Sequence, residues 1–149
     1  MSASGQVGHL VRRFRGSLSR RAPSVADTEW ALGQLLPTEA ELWSRLAVQD
    51  RRHSLLVARR FVALAGAPTR EEVAAALLHD IGKLDCGLGT FARVLATIVG
   101  PHGRRFRRYH DHERIGAGLL RQAGSAPATV ELAEGRGPAA AALGAADDL

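Results

Sequence analysis

Residues 69–83 read TREEVAAALLHDIGK, and this stretch decides the fold class. Thr69 followed three residues later by Glu72 is a capping box, in which each side chain satisfies a backbone amide left orphaned at a helix start. The run Val73, Ala74, Ala75, Ala76, Leu77 and Leu78 is apolar on every side, so the helix it predicts lies inside a core and not on its surface. The helix runs on to His79 and Asp80, and Ile81 and Gly82 end it. A carboxylate is misplaced there. Burying it unpaired costs on the order of several kcal/mol, and the partial negative charge of a helix C-terminus adds to the cost. Asp80 therefore caps a loop amide, pairs with an Arg, or shares a divalent ion with the adjacent imidazole.

Working outward, the same punctuation divides the chain into short helices joined by brief loops, with no strand-like alternation to compete. Ser24 caps a segment reaching Leu36, and Pro37 breaks it. Thr38 with Glu41 reads as the next capping box. Asp50 caps a longer helix ending near Gly66. Beyond the central stretch, Thr90 to Val99 reads as a helix closed by Gly100 and Pro101. Asp111 starts another that finishes at Gly124, and Ser125 with Pro127 starts a short one. Pro138 opens a terminal segment from Ala139 to Leu149. The cluster RRFRR at 104–108 falls in a connection between two helices. The expectation is an all-α chain with one helical domain over residues 24–149, preceded by a basic arm over 1–23.

Composition agrees. At 149 residues the chain suits one domain with a real hydrophobic core, and its 46% apolar content is mostly Ala, Leu and Val with only 5% aromatics, a mix that favours helices. The formal charge of +5 comes almost wholly from Arg, Lys83 being the sole lysine. That bias alone is weak grounds for a nucleic-acid partner. No stretch approaches the roughly 18 uninterrupted apolar residues of a membrane span. Met1 to Arg21 lacks the apolar region of a secretory signal. Cys86, the single cysteine, can form no internal disulfide and no cysteine-rich zinc site. A cytoplasmic location is the expectation.

Three further residues join His79 and Asp80. On the helix opened by Asp50, His53 shares a face with Leu56, Val57, Phe61 and Leu64 and so points inward. On the last helix Asp147 follows Leu143 by four residues and falls on the apolar side, whereas Asp148 lies with Gly144 and Ala145. Four inward ligand groups from three helices, His53, His79, Asp80 and Asp147, point to one shared ion. His112 precedes Ile115, Gly116 and Leu119 at helical spacing, which puts it on a buried stripe; the alternative is a solvated loop histidine, as for His110.

The order His, then His-Asp, then a later Asp resembles the HD-domain metal-dependent phosphohydrolases. The resemblance rests on RRHSLLVARR (51–60), AAALLHDIGKLDCGLGTF (74–91), HERIGAGLLRQAG (112–124) and GAADDL (144–149). It is especially similar to small HD proteins of actinobacteria, in which a comparable N-terminal segment precedes the domain. The resemblance implies a compact bundle of roughly six to eight short helices, and a metal held by His53, His79, Asp80 and Asp147. It also makes His112 a candidate for a substrate contact or a second metal, since relatives place a His just before a Gly-small-x-Leu-Leu stretch. One departure stands out. Many relatives carry a His-His pair where this chain reads VELAEGRGP (130–138), and no histidine follows His112.

Two imidazoles and two carboxylates suit Mn²⁺, Fe²⁺, Co²⁺, Ni²⁺ or Mg²⁺ without choosing among them. The expected activity is hydrolysis of a nucleotide-like or other small phosphate ester by metal-activated water, with Asp80 orienting the water, Lys83 and Arg residues near His112 neutralising charge on the phosphoryl group, and His112 a further catalytic candidate. Lys83 serves equally well as a charge partner for the helix C-terminus. A second reading is a catalytically silent HD module that binds metal or nucleotide to regulate a partner. A third assigns the N-terminal arginines and RRFRR to a nucleic-acid or acidic-membrane contact. Oligomeric state is not encoded in any motif.

Overall fold

The computed structural model describes residues 21–84 and 104–149, the side chains of 104–112 excepted. The described residues form α1 (Val25–Gln34), α2 (Pro37–Arg45), α3 (Val48–Ala65), α4 (Arg70–Leu78), a 3-10 turn (Ile81–Lys83), α5 (Arg104–Gln122), α6 (Pro127–Ala133) and α7 (Ala140–Asp148). No strand occurs among them. The all-α expectation holds, and no described helix is long and apolar enough to cross a membrane. The predicted helix over Thr90 to Val99, Cys86 and most of the basic arm lie outside the described residues.

α4 is the axis of the bundle. Val73 to Leu78 are all buried, as the unbroken apolar run requires. Among the described helices, α1, α2, α3 and α6 each pack on α4, and α7 packs on α3. The capping box is present, with Thr69 Oγ1 accepting from the Glu72 amide (3.2 Å) and Glu72 Oε2 accepting from the Thr69 amide (2.9 Å). α3 meets α2 through the fully buried Trp43, whose Nε1–H donates to Ser54 Oγ at 2.9 Å.

Several local readings are corrected. α2 begins at Pro37, which sits in its first turn, and Glu39 accepts from the Leu36 amide at 2.8 Å; Thr38 and Glu41 are not the capping pair. Thr38 Oγ1 instead donates to the Ala123 carbonyl at 2.6 Å, tying α2 to the end of α5. The proline's fixed φ suits a first helical turn and needs no amide there, so it starts one helix rather than merely ending another. Asp50 lies within the first turn of α3 and not at its cap, which is Ala47. Leu56 and Leu64, expected on the inward face of α3, are half-exposed, because the partners of α3 cover the stripe of Ser54, Leu55, Val57, Ala58 and Phe61.

α5 starts at Arg104, seven residues before the expected Asp111, so RRFRR is helical backbone and not a connection. Charge density marked a loop where arginine, a good helix former, prolongs the helix. At the far end Gly124 (φ 76°) stops α5, with the Ser125 amide donating to Leu120 O and the Gly124 amide to Arg121 O, a Schellman motif. The α2 corner is fixed here by Glu39, a fully buried carboxylate that also accepts from Ser125 Oγ at 2.7 Å.

Candidate metal centre

α4 ends at Leu78, one residue before the histidine, and His79 occupies its C-cap with αR angles (φ −60°, ψ −29°). Asp80 then departs to φ −98°, ψ 12°, and the Lys83 amide donates to Asp80 O at 2.9 Å to close the 3-10 turn. The helix axis therefore delivers His79 and the turn delivers Asp80. His53 arrives from α3 and Asp147 from α7, two helices packed against each other.

These side chains converge. Asp147 Oδ1 lies 2.9 Å from His53 Nε2 and 3.4 Å from His79 Nε2. Asp80 Oδ2 lies 3.6 Å from His79 Nε2 and 3.9 Å from His53 Nε2. Donor atoms about 2.1 Å from a shared ion are separated by roughly 3.0 Å at right angles and at most about 4.2 Å, so every one of these spacings fits a common coordination shell. Among the described residues, His53, His79 and Asp147 form a group with one ligand atom each, all within 4.8 Å of one another. Asp80 adjoins that group, and the oxygen it turns toward the imidazoles also accepts from Lys83 Nζ at 2.8 Å.

The state of His79 tests whether a cation suits the cluster. Its side chain is 11% exposed. Nδ1 lies 2.7 Å from the Ala76 carbonyl, which only accepts, so Nδ1 carries a proton and the ring orientation is fixed from its own helix. Nε2 is shielded from solvent and makes no hydrogen bond. A neutral ring would thus aim a lone pair at two carboxylate oxygens. Burial alone pushes this imidazole down, yet the neighbouring Asp147 and Asp80 carboxylates hold it above its ordinary value. Asp147 answers from the other side, with His53 and then His79 holding its carboxyl far below the usual carboxylate range against the effect of burial. The cluster favours a positive charge at its centre, supplied by a proton or by a metal ion in its place.

Residues 51–136 match the HD domain. The chain belongs to the HD domain family. No curated protein and no solved structure matches it. The HD domain match stops eleven residues short of Asp147, which reaches the cluster only because α7 folds back along α3.

Other candidates divide by position. Lys83 is at the rim, partly exposed; burial would lower its pKa, but the charge and hydrogen bond of Asp80 raise it, so it stays protonated. The side chains of His110, His112 and the RRFRR cluster lie outside the described residues. Two contributors had gone unnoticed in the sequence. The Ala76 carbonyl orients His79, a pairing readable as the residue three positions earlier on the same helix. Asp50, one turn before His53, adds its negative charge near Lys83, and only the fold brings the two within reach.

Proposed function

We propose that this HD domain is a metal-dependent phosphohydrolase acting on a nucleotide-like or other small phosphate ester. The observation that carries the reading is His79 Nε2: shielded, unpartnered, with its tautomer fixed from behind and two carboxylates in front. His53, His79 and Asp147 would hold the ion, with Asp80 as the fourth ligand. The mixed nitrogen and oxygen set suits Mn²⁺, Fe²⁺, Co²⁺, Ni²⁺ or Mg²⁺. Such an ion supplies a Lewis acid for a phosphoryl oxygen and lowers the pKa of a water.

The protein's own groups do the rest. Asp80, at the rim of the cluster, orients the attacking water. Lys83, held 2.8 Å from Asp80, offers its ammonium to the charge that develops on the phosphoryl oxygens. His112 is assigned a substrate contact by the family resemblance, its place being just before the Gly-Ala-Gly-Leu-Leu stretch at 116–120. Residues 24–149 are assigned to the catalytic domain, and a cytoplasmic location is consistent with the single cysteine.

A specific contact favours a second reading, a silent module that binds metal or nucleotide for regulation: Lys83 engages the same Asp80 oxygen that the water or ion would need. One experiment separates them. Purified protein is analysed for metals, then incubated with Mn²⁺ and a panel of phosphate esters, with calorimetry on the same panel. Metal-dependent product that disappears in Asp80→Ala supports the hydrolase; binding without product supports the module; absence of metal binding removes the hydrolase, and absence of both metal and nucleotide binding removes both.

A further inference from the structure

The two halves of the candidate centre are held from different sides. His53 and Asp147 ride on the α3–α7 pair, whereas Asp80 and Lys83 belong to the turn that α5 covers. That covering contact is close. A methyl group built on Gly116 of α5 would lie 3.2 Å from the Gly82 amide nitrogen, 3.3 Å from Ile81 Cγ2 and 3.6 Å from Gly82 Cα. Two of these atoms are backbone and the third belongs to a fully buried side chain, so none can swing aside. Glycine inside a helix costs about 1 kcal/mol relative to alanine, so α5 forgoes stability where it touches the turn. Gly118, two residues on, has nothing within 4 Å.

We propose that Gly116 is a positioning residue of the metal centre: its bare backbone sets the depth at which α5 seats on Ile81–Lys83, and so places Asp80 and Lys83 relative to His53 and Asp147. The inference rests on the metal reading given above. The turn moves as a unit, because the Lys83 and Leu84 amides donate back to Asp80 O and Ile81 O, both at 2.9 Å. A displaced turn keeps the Lys83–Asp80 ion pair and changes the 3.6 and 3.9 Å separations of Asp80 from the two imidazoles. His53 and Asp147, on other helices, keep their 2.9 Å contact.

The test compares Gly116→Ala with Gly118→Ala in the full chain. Mn²⁺ affinity is measured by calorimetry, and the Asp80 carboxyl, Lys83 Nζ and His53 imidazole resonances are recorded without metal. Gly118→Ala should leave all of them unchanged. Gly116→Ala should weaken Mn²⁺ binding about tenfold, the lower end for groups that orient ligands, and shift the Asp80 and Lys83 resonances while His53 stays in place. Should Gly116→Ala fold poorly because of these contacts, the double variant with Gly118→Ala adds helix propensity at an open position to offset the loss and permits the same comparison. Matching affinities and unmoved Asp80 and Lys83 resonances in Gly116→Ala would overturn the proposal. If the parent protein binds no Mn²⁺, the metal reading fails, and the metal-free resonances still decide what Gly116 does.

Discussion

Asp147 Oδ1 lies 2.9 Å from His53 Nε2, a contact between residues 94 positions apart. It closes the α3–α7 pair over the end of α4, and it makes Asp147 the carboxylate that both imidazoles face. Asp147→Asn keeps the shape and removes the charge. Mn²⁺ affinity, read by calorimetry, should fall by about a hundredfold or more, beyond the effect of losing an outer-shell partner. Undiminished binding would remove Asp147 from the centre.

Without metal, stability should depend on pH through the same contact, seen from both of its ends. The raised pKa of His79 gives stability that is fully present below its unfolded value of 6.5 and is lost as pH rises through the higher folded value. The depressed pKa of Asp147 gives stability that is present above its unfolded value of 3.8 and is lost as pH falls below that. Thermal unfolding in a chelator should therefore be highest between these limits and decline on the alkaline side. Added Mn²⁺ should reverse the alkaline decline, since the ion replaces the proton; a Tm that is flat with pH in chelator and indifferent to Mn²⁺ would contradict this.

Lys83→Met should separate two effects of one side chain. Removing the ammonium releases the Asp80 oxygen it engages and should tighten Mn²⁺ binding several-fold, while phosphate binding to the loaded protein weakens by about tenfold or more. Isothermal titrations with Mn²⁺ and then inorganic phosphate read both. Movement of the two affinities in the same direction would argue that Lys83 only closes the turn.

Glu39 gives a prediction confined to the fold. Glu39→Ala leaves the Leu36 amide and the Ser125 hydroxyl without their acceptor in a buried corner, which should cost about 2–4 kcal/mol. Ser125→Ala, which removes one donor, should cost about 1 kcal/mol. Denaturant titration measures both, and neither should alter Mn²⁺ affinity, because the corner lies on α2 and the α5–α6 loop.

The central helix was legible because its information is local: a capping box, an apolar run and a glycine stop act within a few residues of one another. His79 and Asp80 were legible for the same reason, as polar groups at the end of a helix that must be buried. The start of α5 was not, since a dense run of arginine serves helix and loop alike until packing chooses. The exposure of Leu56 and Leu64 also escaped the sequence, because apolar spacing marks a face without naming the neighbours that cover it.

The sequence by itself determined the helical class, the family and the four residues, two histidines and two aspartates, that point to an ion. Tertiary structure alone decided that α7 returns Asp147 to His53, that Lys83 claims an oxygen of Asp80, and that α5 reaches the turn through Gly116. The physical reason is one of range. Hydrogen bonding along a helix and its apolar periodicity are set by near neighbours in the chain, whereas a site assembled from separate helices depends on where each axis comes to rest in the packed core.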